Sequence, residues 1–303
     1  MNRRTFLQAS ASAGALAALG PSVVRAAAPK RALKKGFMLS TLRVNRENPP
    51  SVLERFKLLK AAGFHGVEPM TPLDQTEVLA ARDATGLEIP SLVIASHWSH
   101  PLSHPNPATR QVTLDALKQG LRDAKACGAK SVLLVPAVVN KEVSYADAYE
   151  RSMAEIRKAI PLAEELGVAI AIENVWNQFL LSPLEAAAYV DAFNSPMVRF
   201  HFDVGNVVNY GFPDQWIRIL GPRIVQVHVK EYSRKLRDER GPRAGFQVHL
   251  HEGDSDWPAV MPALDAIGYS GWIIVEQGHR DPGQSDADWL AHLSRGMDRI
   301  IAT

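Results

Sequence analysis

Four stretches in the second half of the chain decide the fold: Ala169-Ile170-Ala171-Ile172-Glu173, Val198-Arg199-Phe200-His201-Phe202-Asp203, Ile224-Val225-Gln226-Val227-His228 and Ile273-Ile274-Val275-Glu276. Each is a short, largely aliphatic run that stops on an ionisable residue. Runs this short and this continuously apolar are strands covered on both faces, as in a parallel sheet. Working outward, the same pattern marks strands at Gly36–Ser40, Gly66–Met70, Ile89–Ser96, Ser131–Val135, Val168–Glu173, Val198–Asp203, Ile224–Val229 and Trp272–Glu276. Between them lie stretches with apolar residues at helical spacing, such as Val52, Leu53, Phe56, Leu59 and Ala62, or Ile156, Ile160, Leu162, Ala163 and Leu166. Glycines at 63, 86, 128, 167 and 268 stand where helices stop before the next strand. Eight strands alternating with eight helices, without a break in composition, predict an α/β protein folded as a single (β/α)8 barrel. An open doubly wound sheet fits less well, because no glycine-rich phosphate loop follows the first strand. Pro161 predicts that the fourth helix is kinked or in two pieces.

Composition narrows the function classes. Of 303 residues 46% are apolar and 22% charged, which places the chain among globular proteins. The formal net charge of +2 argues against broad nucleic-acid binding. One cysteine, Cys127, excludes an intramolecular disulfide and a cysteine-rich zinc module. At the start, Asn2-Arg3-Arg4-Thr5-Phe6-Leu7 precedes a mild Ala/Leu/Gly run and Ala26-Ala27-Ala28. This resembles a bacterial twin-arginine export signal, assigned to residues 1–28, with the barrel at 29–303. The expected partner is the twin-arginine export machinery, and the expected compartment the periplasm. Beyond this leader no stretch reaches the roughly 18 apolar residues of a membrane span.

In such a barrel the chemistry gathers at the carboxyl ends of the strands. Those ends are Ser40, Glu68, His97, Pro136, Glu173, Asp203, His228 and Glu276. Any one carboxylate there is commonly a helix cap or a solvated loop residue, and a lone histidine is commonly core. Four consecutive strands ending in Glu, Asp, His and Glu are another matter, because such a ring is costly without a cation. Three carboxylates and one imidazole suit one divalent metal ion, Mn²⁺ first, with Mg²⁺, Co²⁺ or Zn²⁺ also compatible. After the third strand, His97-Trp98-Ser99-His100-Pro101 offers an aromatic face and a hydrogen-bonding imidazole to a bound ligand, and Trp176 offers a second wall. The gap from His228 to Glu276 is 48 residues, against 30 and 25 for the two before it. The extra chain, Tyr232–Gly253, carries several arginines and is expected to act as a lid. His249 and His251 alternate as on an extended segment, and His251 is a candidate further ligand or proton donor.

The motifs Ile172-Glu173-Asn174, Phe202-Asp203-Val204-Gly205-Asn206, Val227-His228-Val229-Lys230-Glu231 and Val275-Glu276 resemble the sugar phosphate isomerase/epimerase family, with its xylose isomerase-like TIM barrel. Gly253-Asp254-Ser255-Asp256-Trp257, Ile267-Gly268-Tyr269-Ser270-Gly271-Trp272 and Phe64-His65-Gly66-Val67-Glu68 extend the likeness from about Gly36 to the end, with Glu68 a further candidate site residue. The resemblance implies a metal held by Glu173, Asp203, His228 and Glu276. It also implies that Glu173 and Glu276 double as acid and base on opposite faces of the substrate. Lys230 and Arg234 would then hold substrate oxygens, with Asn206 close by. Two positions depart from ketose 3-epimerases: Phe179 replaces a glutamate and Asn206 a histidine. The expected function is a metal-dependent isomerase or epimerase of a sugar or keto-sugar derivative, working through an enediolate. The alternative is a metal-dependent lyase or dehydratase of a 3-keto sugar or glycoside. A non-catalytic sugar-binding barrel is a third reading. The related apurinic endonucleases fit poorly, because Leu134-Val135-Pro136 lacks their histidine. A small carbohydrate is thus the expected ligand, nucleic acid is not, and the sequence leaves a homo-oligomer open.

Overall fold

Short apolar runs bounded by glycine and proline become nine parallel strands in the computed structural model, which describes residues 31–42 and 49–303. The twin-arginine stretch lies outside the described residues. In chain order the strands are β1 (Leu33–Met38), β2 (Gly66–Glu68), β3 (Met70–Thr71), β4 (Ser91–Ile94), β5 (Ser131–Leu134), β6 (Ala169–Glu173), β7 (Val198–Asp203), β8 (Ile224–Val229) and β9 (Gly271–Val275). They pair in the order β2-β1-β9-β8-β7-β6-β5-β4-β3. The two edges, β2 and β3, are halves of one strand separated only by Pro69, so the sheet closes on itself. Proline has no N–H for the ladder. Its carbonyl still accepts from the Val93 N–H at 3.0 Å, which carries the pairing past the break. The barrel therefore has the expected eight strand positions, with the second interrupted where the sequence reading had a continuous Gly66–Met70.

Side chains alternate across a strand, so every second residue enters the barrel. Along β7 these are Arg199, His201 and Asp203, and along β8 Gln226 and His228, while Ile224 stands in register with Phe200. Phe200 and Phe202 point the other way, towards the helices, and are fully buried. Space inside the barrel is tight. A Cβ on Gly66 would lie 2.5 Å from the Trp272 ring, so that position tolerates only glycine without rearrangement. A register shift between Phe200 and His201 brings Asp203 level with His228 on β8.

The helices cover the outside. Pro107–Cys127 starts on the Asn106 cap and ends at Gly128 with φ of 82°. Its Leu114, Leu117, Leu121 and Ala124 form a buried stripe at helical spacing. The fourth helix is in two pieces, Tyr145–Arg157 and Ile160–Leu166. Pro161 sits in the first turn of the second piece, where its missing N–H is no loss. Among the described residues no helix is long and apolar enough to cross a membrane.

Candidate active site

The ends of β6, β7, β8 and the residue after β9 bring Glu173, Asp203, His228 and Glu276 together. One donor atom from each lies within 4.8 Å of all the others. His228 Nδ1 stands 3.2 Å from Glu173 Oε1 and 3.0 Å from Glu276 Oε2. Lys230, two residues on from His228 and just past the end of β8, places its ammonium 3.0 Å from Asp203 Oδ2 and 2.8 Å from Glu276 Oε2.

Local sequence explains why the ring holds its shape. Asn174, next to Glu173, accepts from the Asp203 N–H at 2.9 Å and donates to the Asp203 carbonyl at 2.8 Å, stitching the end of β6 to that of β7. Asn206 donates its backbone N–H to Asp203 Oδ1 at 2.7 Å and its side-chain amide to the Asn174 carbonyl at 3.0 Å. Asp203 Oδ2 is left buried, facing Lys230 but without a well-aligned hydrogen bond among the described residues. Below the ring, His228 Nε2 meets Glu68 Oε2 at 2.7 Å, and neither side chain is exposed. Ser91 donates to the other oxygen of Glu68, and the Gln226 amide donates to Ser91. Glu68 thus holds the proton on Nε2 and turns Nδ1 towards the carboxylates, an outer-shell arrangement common to metal-bound histidines.

The electrostatics follow from burial and close charge. Burial pushes the Glu173 carboxyl up to about 7 and raises that of Asp203. Burial also opposes charge on Glu276, but Lys230 and His228 outweigh it and hold that carboxyl well below the ordinary range. For His228 burial disfavours the cation, yet the Glu68, Glu173 and Glu276 carboxylates push its pKa well up. His97, buried at the rim, is lowered to about 4 and is neutral. Its Nδ1 accepts from the Val135 N–H at 3.2 Å, so Nε2 is left as a donor. Three clustered carboxylates, the His228 imidazole and a buried Asp203 oxygen without an aligned partner form a donor set that fits a hard divalent cation.

Above the ring opens a cavity of about 510 Å³ whose walls include His97, Trp98, Trp176, Asn206, Arg243 and Phe246. Trp176 donates to the Asn206 carbonyl at 2.9 Å, and its ring lies 5.0 Å from that of Phe246. A larger cavity, about 830 Å³, opens at the amino ends of the strands around Gly86, Lys130 and Trp272. No cluster of metal-ligating residues faces that one among the described residues.

The model of the xylose isomerase-like TIM barrel family matches residues 56–298. The chain belongs to that family. A twin-arginine translocation signal model matches residues 1–20. Among curated relatives, an L-ribulose-5-phosphate 3-epimerase of Escherichia coli O1:K1 is 24% identical over 82% of this chain and 89% of its own. A D-psicose 3-epimerase from Clostridium cellulolyticum H10 superposes with a TM-score of 0.72 at 17% identity, covering 89% of this chain and 99% of that one. A 3-keto-D-glucoside 4-epimerase from E. coli also gives 0.72, at 16% identity over 88% and 98%.

Within this family barrel, several expected site residues stand elsewhere. Arg234 does not line the cavity. Its guanidinium donates to the carbonyls of Val208 and Gly211 and lies over Phe212, because the segment forms a helix, Arg234–Arg240, that turns away from the mouth. From the Tyr232–Gly253 segment, Arg243 and Phe246 do reach the cavity. His251 faces the C-terminal helix, where its Nε2 meets the Gly296 carbonyl at 3.0 Å. With φ of 74° it sits in a turn, so it does not share a side with His249 as an extended segment would require. Phe179 packs against Tyr145 and Tyr189 rather than entering the site. Ser91 and Gln226 carry no sequence signal strong enough to single them out, and only alternation along the strands places them beside Glu68; Asn174 stands in the Ile172-Glu173-Asn174 motif, but its bonds to Asp203 needed the structure.

Proposed function

We propose that this protein is an exported, metal-dependent epimerase of a keto sugar or keto-glycoside, acting through an enediolate. The observation that carries the reading is the arc of four consecutive strands: Asp203 and His228 occupy its middle, and Glu173 and Glu276 its two ends. A substrate lying over the middle of the arc has one carboxylate on either side. Glu173, Asp203, His228 and Glu276 would hold one divalent ion, Mn²⁺ first among the candidates. When bound, that ion supplies charge stabilisation to the substrate carbonyl and the adjacent hydroxyl oxygen.

The chain's own residues do the rest. Glu276 takes the proton from the carbon that bears the hydroxyl, next to the carbonyl; the C–H bonding pair becomes the carbon–carbon double bond of the enediolate as the carbonyl π pair moves onto oxygen. Glu173 delivers a proton to the opposite face of that carbon, and the configuration inverts. Lys230 balances the carboxylates and donates to a substrate oxygen. Neutral His97 donates through Nε2, while Trp98, Trp176 and Phe246 pack against the apolar face of a sugar ring. The curated relative is an epimerase of a ketose phosphate and two structural neighbours are epimerases of unphosphorylated keto substrates, which supports this reaction class. The twin-arginine match supports export to the periplasm and with it an unphosphorylated substrate. Incubating the metal-loaded protein with a panel of keto sugars and keto-glycosides should yield an epimer of at least one. Elimination products alone would assign it to the lyases instead.

A further inference from the structure

Three histidines meet at a place the proposed reaction does not use. His249 comes from the segment after β8, His279 from the loop after β9, and His292 from the C-terminal helix Asp286–Ala302. The His249 ring centroid lies 4.6 Å from that of His279 and 4.7 Å from that of His292. Asp281 completes the group, its Oδ1 3.1 Å from His249 Nε2. One donor atom from each of His249, His279 and Asp281 falls within 4.8 Å of the other two. His249 Nδ1 and His292 Nε2 are buried with no hydrogen-bond partner among the described residues. Buried polar atoms without partners are rare, and the His292 Nε2 beside the cluster is one that a bound ion would satisfy. His279 and Asp281 also line a cavity of about 530 Å³, separated from the substrate cavity by Arg243 and Phe246.

We infer that His249, His279 and Asp281 form a second divalent-metal site of zinc type, with His292 as fourth donor after a side-chain rotation. An imidazole-rich set with one carboxylate suits zinc, copper or nickel better than the hard ions favoured by the barrel centre. Tetrahedral zinc holds its donors about 3.3 Å apart, so the Asp281–His249 pair is already spaced for it and the others need to close by roughly an ångström. Burial lowers the pKa of both His279 and His292, which keeps them in the neutral form a metal needs. Its position gives the ion a role. Gln277 already ties the carbonyls of Phe246 and Val248 to the end of β9. Zinc at His249 would add a second tie and fix the wall formed by Arg243 and Phe246.

The test uses tag-free, metal-stripped protein titrated with Zn²⁺ alone, with bound metal measured after dialysis. An Asp203→Ala, His228→Ala variant lacks the barrel centre and should still hold about one equivalent, with a raised Tm. His249→Ala, His279→Ala added to that background should hold none. Asp281→Asn, at an exposed position that does not threaten folding, should weaken zinc binding roughly 10-fold or more. A folded Asp203→Ala, His228→Ala variant that binds no zinc overturns the inference and leaves the barrel centre standing. If wild type and that variant each bind about one equivalent, and His249→Ala, His279→Ala abolishes it, the barrel centre is refuted and the histidine site stands.

Discussion

Glu68 lies behind His228 rather than in the proposed ring of ligands, and metal binding at that ring should depend on it. Its two carboxylate oxygens each serve a donor, His228 Nε2–H at 2.7 Å and the Ser91 hydroxyl. Glu68→Gln has one oxygen for those two donors, so one of them goes unmet in a fully buried place. An unmet buried donor costs about 1–3 kcal/mol. The loss of charge also makes His228 a weaker base, so its Nδ1 becomes a weaker ligand. Removing such outer partners lowers metal affinity roughly 10- to 100-fold, or about 1.4–2.7 kcal/mol. Because neither Glu68 nor His228 is exposed, the upper half of that range is expected. Competition for Mn²⁺ against a chromophoric chelator near neutral pH measures the change. The KM for substrate at saturating metal should stay close to wild type, which separates positioning of the ligand from general damage. A folded Glu68→Gln protein that binds Mn²⁺ within about twofold of wild type would refute the reasoning.

Three further outcomes follow from the same contacts. Glu173 holds its proton up to about 7 in the folded metal-free protein, against an ordinary value of 4.5, so the unfolded chain binds fewer protons across that window. The Tm of the metal-free protein should therefore fall as pH rises from 4.5 to about 7, less so in Glu173→Gln, while metal affinity rises over the same range. Arg243→Ala should raise KM with metal content unchanged, whereas Arg234→Ala should lower Tm and leave KM alone; steady-state kinetics and thermal melts read the two. Gly205→Ala would put a Cβ 2.7 Å from the Lys230 carbonyl oxygen. It should cost about 1–3 kcal/mol by denaturant titration.

The barrel and the cluster at its mouth are legible because each rests on a pattern the chain cannot avoid displaying. A buried parallel strand must be apolar throughout, and a side chain that serves the mouth must be the residue that ends it. That logic places Glu173, Asp203, His228 and Glu276 without any coordinates. It also places Glu68, although its role beneath His228 needed the sheet's closure to become visible. Pro69 interrupts the second strand without ending it, because its carbonyl still accepts from the Val93 N–H. Arg234 was misplaced for a different reason. Sequence distance from His228 suggested reach, but a short helix capped by Ser233 carries that arginine outward. The long connection is then brought back by Glu231, which accepts from Ser255 N–H, His251 N–H and the Trp257 indole. Contacts of that kind join residues 20–26 apart and leave no periodicity to read.

Solvent exchange tests the proposed reaction most directly. The metal-loaded enzyme in D₂O, given a keto sugar it converts, should place deuterium at one carbon, the one that inverts. Glu276→Gln should slow that incorporation by roughly 100-fold or more while the metal stays bound. Inversion at that carbon without deuterium in product or recovered substrate, at an undiminished rate in Glu276→Gln, would contradict proton transfer through this carboxylate.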